Sequence, residues 1–460
     1  MGEPGALCRI LAEAQGEVGD DAGMVVAASA LRFGAADAAA RLRAAGLAPD
    51  EPVLVSVANR PADLAALFAV WQAGGVVVPV HEAAAPATFA AIAAQSGARF
   101  CLRDGVLDLI ADDPPPARPL LRGAALVVFT SGSTGTPKGV VLGHARFAAK
   151  LDALQALLEL TPGDRVVLPL QLIFIFGLWV ALLSLKTGAR LELVGKFTPA
   201  TLLPRLDRAT VFATVPSMLR TLFGQGAVAA PHLRTILTGG EGLGAHLSGE
   251  IARQLPQAGV HDLYGLTETG SCDFCLRPED ARSGRGTIGT PTRDVEFRID
   301  GAGESGELLI RSPFGMLGYL DNPGLTDAAF LDGHFRTGDV ARLRADGFVE
   351  IVGRIKEIVS RGGNKIAPAE IELLLSAHPA VAQALCAGVP DPRLGEALHV
   401  AVVLRAGHAA DAEELKAWCR ARTERFKVPD AIHLVDTLPT GPTGKALRSG
   451  VRALAELKAP

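Results

Sequence analysis

The feature that most constrains this chain is an alternation of short β-branched runs with Ala/Leu-rich stretches of helical length. Residues 52–58 read as a strand, 62–73 as a helix, 75–80 as a strand, 86–95 as a helix and 99–103 as extended. Strands separated by helices imply a mostly parallel sheet covered on both faces. A proline-rich surface connection at 112–119 leads to a fully apolar strand at 124–129, and a further helix–strand series runs to about residue 265. From about Val295 the pattern becomes successive strands, at 295–299, 307–311 and 348–352. From Arg354 on it is a compact α+β pattern, with a helix at 368–377, a strand at 398–404, a helix at 412–425 and a strand at 432–435. The expected fold class is α/β. A large N-terminal, mostly parallel-sheet domain with a β-rich subdomain occupies residues 1–353, and a small α+β domain occupies residues 354–460. A chain of 460 residues exceeds what one ordinary core holds, which agrees with two domains.

Charge and cysteine usage narrow the function classes. The net charge of −4 gives no basic excess for nucleic acid or for an anionic membrane surface. With 49% hydrophobic and 20% charged residues, the chain is not mainly disordered. Its six cysteines are too few and too scattered for a disulfide framework, and residues 1–30 lack a charged-then-apolar leader, so a reducing, cytoplasmic setting is expected. Residues 166–185 carry no charge over a length that would span a bilayer. Pro169, Gln171, Gly177 and Ser184 interrupt them, so a strand end, a loop and a buried helix are expected here rather than stable membrane insertion.

The strongest chemical signal is the stretch Thr130, Ser131, Gly132, Ser133, Thr134, Gly135, Thr136, Pro137, Lys138, Gly139, directly after an apolar strand. Glycines let backbone N–H groups turn inward on an anion, hydroxyls add donors, and Lys138 adds a positive charge. A nucleotide polyphosphate is the natural ligand. Lys138 lies between Pro137 and Gly139, so this is not the loop of P-loop NTPases. Elsewhere Tyr264 offers a ring to stack on a base, Thr267 a hydroxyl for phosphate, and Glu268 a hard oxygen ligand for Mg²⁺. Asp339 sits in a Gly-bearing turn where a carboxylate can accept ribose hydroxyls. Gly239, Gly240 and Glu241 follow an apolar strand whose backbone can come close to a flat ligand.

Residues 130–139 resemble the phosphate loop of the adenylate-forming superfamily, which contains acyl- and aryl-CoA synthetases, peptide-synthetase adenylation domains and beetle luciferase. Further blocks follow in that family's order: Tyr264-Gly265-Leu266-Thr267-Glu268, then Phe335-Arg336-Thr337-Gly338-Asp339, then Gly353-Arg354-Ile355-Lys356-Glu357 continuing through Gly362-Gly363, and Pro439 to Lys445. The resemblance implies an enzyme using ATP, Mg²⁺ and coenzyme A. It implies that Lys445 touches both the acid and the α-phosphate, stabilising charge that builds as carboxylate attacks phosphorus. It places Thr267 and Glu268 beside it, and Thr130, Lys138, Gly240, Glu241, Tyr264, Gly265, Asp339 and Arg354 around the nucleotide. It makes Lys356 the hinge of a mobile C-terminal domain, which first presents Lys445 and then the face carrying Gly362 and Gly363 for thioester formation.

The same resemblance puts the acyl pocket at Phe174, Phe176, Val215, Thr238 and Gly239, with Phe212 and Met218 as further candidates. Many relatives have a histidine where Phe174 stands. No carboxylate is present to pair with an α-ammonium, and burying such a charge unpaired would be costly, so an aromatic or medium-chain monocarboxylate is expected over an amino acid. Arg277, Arg282 and Arg285 leave a dicarboxylate open. Residues 426–429 followed by the Lys445 loop favour CoA as acceptor. Loading of a carrier-protein phosphopantetheine and a non-catalytic nucleotide- or acyl-binding relative are the alternatives. Cys272 and Cys275 form a C-x-x-C with no second pair, and are expected to be incidental wall residues rather than metal ligands.

Overall fold

The computed structural model describes residues 5–130, 137–301, 303–405, 407–439 and 447–457. Its architecture follows from two helices that lack a polar face. In Pro61–Ala73, Leu64 and every residue from Ala66 to Trp71 are buried, and in Ile175–Thr187 every residue from Gly177 to Leu185 is buried. A helix apolar all round must be covered all round. Two sheets supply that cover, and residues from both join Trp71 and Trp179 in one core: Val53, Val55 and Val128 from the first, Val166, Ala213 and Leu237 from the second.

The first sheet has seven strands, in the order Gly318–Tyr319, Lys138–Gly143, Ala124–Thr130, Val76–His81, Pro52–Val57, Phe100–Arg103, Val106–Leu109. The second has nine, in the order Thr290–Pro291, Phe274–Leu276, Gly259–Tyr264, Thr235–Gly239, Val211–Thr214, Arg165–Leu168, Arg190–Leu193, Glu17–Gly19, Val25–Ala27. The centre of each is parallel and the margins are antiparallel. The single sheet expected from the alternation is thus two mixed sheets, because residues 52–130 close one unit before residues 165–264 build the other. Three helices, Pro199–Leu206, Pro216–Phe223 and Ala245–Gln254, cover the outer face of the nine-stranded sheet with a core of their own.

The apolar stretch at 166–185 is the end of the strand Arg165–Leu168, a loop, and the helix Ile175–Thr187 buried between the sheets. Among the described residues, no helix is long and apolar enough to cross a membrane. The β-rich part is a five-stranded antiparallel sheet built on Glu296–Asp300, Gly306–Arg311, His334–Leu343 and Val349–Arg354. The expected boundary at 353/354 falls at the end of that last strand. Beyond it another five-stranded sheet packs Val359, Ile366, Leu398 and Val400 against Ile371, Leu375 and Leu415 of its helices. The helix expected over 412–425 is Ala412–Arg420, capped by Asp411 and ending where its buried apolar positions, Leu415 and Cys419, run out.

One buried side chain joins the two large sheets. Asn59, just past the strand Pro52–Val57 and at φ 61°, is fully buried. Its Nδ2 donates to the carbonyls of Leu170 (2.9 Å) and Val194 (3.2 Å), and its Oδ1 accepts from the N–H of Leu172 (2.9 Å). Asn tolerates the left-handed region better than most residues, which lets the chain turn while the amide serves all of these groups. Asn59→Ala strands them in the core and is expected to cost roughly 3–5 kcal/mol, read as a lowered urea midpoint.

Candidate functional site

Lys138, Tyr264, Glu268, Asp339 and Arg354, from four of the sequence motifs, lie where the two large sheets and the β-rich sheet approach one another. Tyr264 ends the strand Gly259–Tyr264, and Asp339 lies in His334–Leu343 directly opposite Arg354. The Tyr264 hydroxyl donates to Asp339 Oδ2 at 2.6 Å, and Arg354 Nε lies 2.7 Å from Oδ1. Asp339 lies in a bulged strand rather than in the turn expected from the sequence, and Glu307 fixes that bulge. Its Oε1 accepts from the N–H of Gly338, its Oε2 pairs with Arg336, and the Thr337 hydroxyl donates to the Leu308 carbonyl while accepting from the N–H of Asp339. Asp339 is only 2% exposed. Burial pushes its carboxyl above the ordinary range, opposed by Arg354 and the Tyr264 hydroxyl. The same burial, with the neighbouring carboxylate, drives the Tyr264 phenol well above its usual value. Each Asp339 oxygen keeps a lone pair beyond its protein partner, so a diol can still be accepted.

A second junction brings Lys138 and Glu268 together through Tyr319. Lys138 pairs with Thr130 at the margin of the seven-stranded sheet, and Tyr319 lies on the neighbouring strand opposite Val140. The Lys138 ammonium sits 5.5 Å from the centre of the Tyr319 ring. The Tyr319 hydroxyl donates to Glu268 Oε1 at 3.0 Å, and burial with that carboxylate raises its phenol pKa. Glu268 is half-buried in the 3₁₀ turn Thr267–Thr269, and its Oε2 has no hydrogen-bond partner among the described residues. No cluster of three His, Cys, Asp or Glu occurs among the described residues. One free carboxylate oxygen fits Mg²⁺, which keeps several waters and is held mainly by phosphates.

The loop bearing Glu268 is held from beneath. A Cβ on Gly265 would lie 2.3 Å from the backbone nitrogen of Cys272, so only glycine allows the loop to fold back. Lys150 is 1% exposed on the helix His144–Leu158, and its Nζ donates to the Cys272 carbonyl at 2.8 Å. Asp273, fully buried, accepts from the Thr269 hydroxyl, while its Oδ1 has no partner among the described residues. Burial raises the Asp273 carboxyl to about 6, with Lys150 and Thr269 pulling it down. Cys272 and Cys275 are buried free thiols whose pKa values burial raises.

Several other expected residues gain definite surroundings. A Cβ on Gly239 would lie 2.4 Å from the Leu263 carbonyl, so its close approach is to the adjacent strand. Gly240 has φ +80°, and the Glu241 carboxylate is engaged by the Ser217 hydroxyl (2.9 Å) and Arg220 (3.3 Å) on the preceding helix, Pro216–Phe223. Ile173, Phe176, Val215, Met218 and Leu266 are half-buried along the inner core, with Phe176 stacked on Trp179 at 5.2 Å. Phe174 caps that helix and is 45% exposed. Strand alternation puts Phe212 and Thr238 on the opposite face, Phe212 within the outer core. Arg277, Arg282 and Arg285 are exposed.

Gly362 and Gly363 form the two-residue turn between Val359–Arg361 and Asn364–Ile366, both with positive φ. Lys356 lies in the 3₁₀ turn Ile355–Glu357, between the β-rich sheet and the C-terminal one. Ser131, Gly132, Ser133, Thr134, Gly135, Thr136 and Lys445 lie outside the described residues. The roles of Tyr319, Glu307 and Lys150 were not foreseen from the motifs. Only Tyr319 leaves a sequence trace, since the chain has just two tyrosines.

The family profile of AMP-binding enzymes matches residues 29–320, and that of the AMP-binding enzyme C-terminal domain matches residues 370–445. The chain belongs to this family of adenylate-forming enzymes. A feruloyl-CoA synthase of an Amycolatopsis species is 33% identical over 449 residues, covering 89% of this chain and 90% of its own. A fatty acid–[acyl-carrier-protein] ligase, ScoC of Streptomyces coeruleorubidus, is 30% identical over 457 residues, covering 89% and 88%. Among solved structures, ATP-bound MatB from Rhodopseudomonas palustris superposes with a TM-score of 0.86 at 25% identity, covering 98% of this chain and 99% of that one.

The raised Asp273 carboxyl predicts a pH signature in stability. An unfolded aspartate titrates near 3.9, so between about pH 4 and pH 6 the unfolded state ionises first and stability falls as pH rises. Asp273→Asn removes that step. Urea midpoints measured from pH 4 to pH 7 are expected to decline less in the variant than in the wild type.

Proposed function

We propose that this protein is an AMP-forming carboxylate–CoA ligase, which uses Mg-ATP to convert an aromatic or medium-chain carboxylic acid to an acyl-adenylate and then passes the acyl group to the thiol of CoA. The observation that supports it most is the convergence of Lys138 and Glu268 on one tyrosine, from strands and turns of different sheets. In this reading the junction offers a cation and a metal-ligating carboxylate to one polyphosphate. We take residues 1–353 as the nucleotide- and acid-binding domain and residues 354–460 as the mobile domain, with Lys356 at the pivot.

In this reading Asp339 accepts the ribose hydroxyls, oriented by Tyr264 and Arg354. Lys138 and the Thr130–Thr136 loop neutralise the phosphates. Bound Mg²⁺ supplies further charge neutralisation, and Glu268 holds it. Thr267 adds a donor to the phosphates. Lys445 contacts the acid and the α-phosphate as charge develops on phosphorus, which stabilises the transition state more than the ground state. The half-buried group Ile173, Phe176, Val215, Met218 and Leu266 offers an apolar wall with no charged side chain. A monocarboxylate such as a phenylpropenoate suits it, in keeping with the feruloyl-CoA synthase relative. We take the cytoplasm as the site of action, in keeping with six free thiols, five of them buried.

A carrier-protein acceptor is the second reading, favoured by the likeness to the acyl-carrier-protein ligase. The test is acid-dependent AMP release with Mg-ATP across benzoates, cinnamates, straight-chain acids and amino acids, with and without CoA. An acyl-CoA product from one group of acids is expected, and Lys445→Ala is expected to lower adenylation about 10²–10³-fold. Adenylate without thioester would move the assignment to a carrier protein. Gly363→Trp is expected to keep adenylation and block thioester formation. Gly363→Asn is the control for turn strain, since asparagine accepts a positive φ, and it is expected to keep both half-reactions.

A further inference from the structure

The chain contains 18 phenylalanines and only two tyrosines, and both tyrosine hydroxyls donate to carboxylates of the candidate site, Tyr264 to Asp339 and Tyr319 to Glu268. A buried phenol is desolvated unless it finds a partner, so where a ring alone would fill the space phenylalanine costs less. Tyr319 is 5% exposed. Its ring fills a junction between the seven-stranded sheet and the turn Thr267–Thr269, and its two ends do different things. The ring faces the Lys138 ammonium within the range of a cation–π contact. The hydroxyl holds Glu268 Oε1, leaving Oε2 as the oxygen without a partner among the described residues. The backbone reinforces the arrangement: the N–H of Met316 donates to the Glu268 carbonyl at 2.8 Å, and Arg146 holds the carbonyls of Gly315 and Met316.

We propose that Tyr319 is a positioning residue for nucleotide-bound metal: its hydroxyl orients the Glu268 carboxylate so that one oxygen faces the metal, and its ring holds Lys138 in register with that oxygen. The inference rests on the assignment of Glu268 as the metal ligand. A freely rotating carboxylate would have to lose that rotation on binding the metal, whereas one already held by a hydroxyl has lost it in the folded protein.

The test uses the full-length protein with Mn²⁺ and ATP in the absence of any acid, so that no turnover occurs, and follows bound Mn²⁺ by electron paramagnetic resonance. Tyr319→Phe keeps the ring and removes only the hydroxyl. It is expected to weaken Mn-ATP binding about tenfold, with metal-free ATP binding and melting temperature near those of the wild type. Tyr319→Leu removes the ring as well and is expected to weaken metal-free ATP binding too. Wild-type affinity for Mn-ATP in Tyr319→Phe, or an equal loss with and without metal, would overturn the proposal. Glu268→Gln separates the two readings. If it weakens Mn-ATP while Tyr319→Phe does not, the metal ligand stands and the positioning role falls. If neither variant responds, the assignment of Glu268 falls, and the role of Tyr319 with it.

Discussion

The burial of two helices that have no polar face is the constraint on which the rest of the structure depends. Trp71 and Trp179 are their largest buried side chains, and neither helix is stable beside water. Covering them brings the seven- and nine-stranded sheets together on either side. The two sheets held this way meet again at the Tyr319–Glu268 contact. The strand Gly259–Tyr264 delivers Tyr264 and the Glu268 turn there, and the margin of the first sheet delivers Lys138 and Tyr319. Binding outside the carboxyl ends of parallel strands is the general rule for open α/β sheets.

Within the site, each carboxylate is fixed by groups from another part of the chain. Asp339 is held by Tyr264 of the nine-stranded sheet and by Arg354 of the neighbouring strand, and Glu268 by Tyr319 of the seven-stranded sheet. Contacts between separate sheets are weak constraints singly, yet together they fix both carboxylates in place. The loop between Gly265 and Asp273 has a comparable foundation, a lysine buried on the helix that follows the strand Lys138–Gly143. The same helix, His144–Leu158, therefore connects the strand Lys138–Gly143 before it to the turn Thr267–Thr269.

Much of this was legible in the sequence because the signals are local. The strands near 52, 76, 124 and 235 stand where their β-branched runs put them, and the order of the motifs identified the family. What stayed hidden depends on distant pairing. The division into two sheets cannot be read from alternation, since both halves alternate alike. Phe212 looked like a pocket residue from its place in the chain, but the period-two pleat turns it to the outer core, while Val215, beyond the strand end, stays inside. Gly239 and Glu241 look like ligand contacts, yet their nearest obligations are to Leu263 and to Ser217 and Arg220. Asn59 and Lys150 carried no motif at all, because a polar residue that satisfies distant backbone groups has no neighbours in sequence to announce it.

The order of the strands also bears on how the chain assembles during synthesis. When Ile175–Thr187 leaves the ribosome, the strands Val211–Thr214, Thr235–Gly239 and Gly259–Tyr264 that complete its cover have not yet been made. Some eighty residues of translation separate the apolar helix from the last of these strands, seconds at ordinary elongation rates. During that interval the helix offers Leu178, Trp179, Leu182 and Leu185 to whatever is nearby. The segment that secures the finished core is therefore also one that stays open to chaperones and to aggregation until its cover is made.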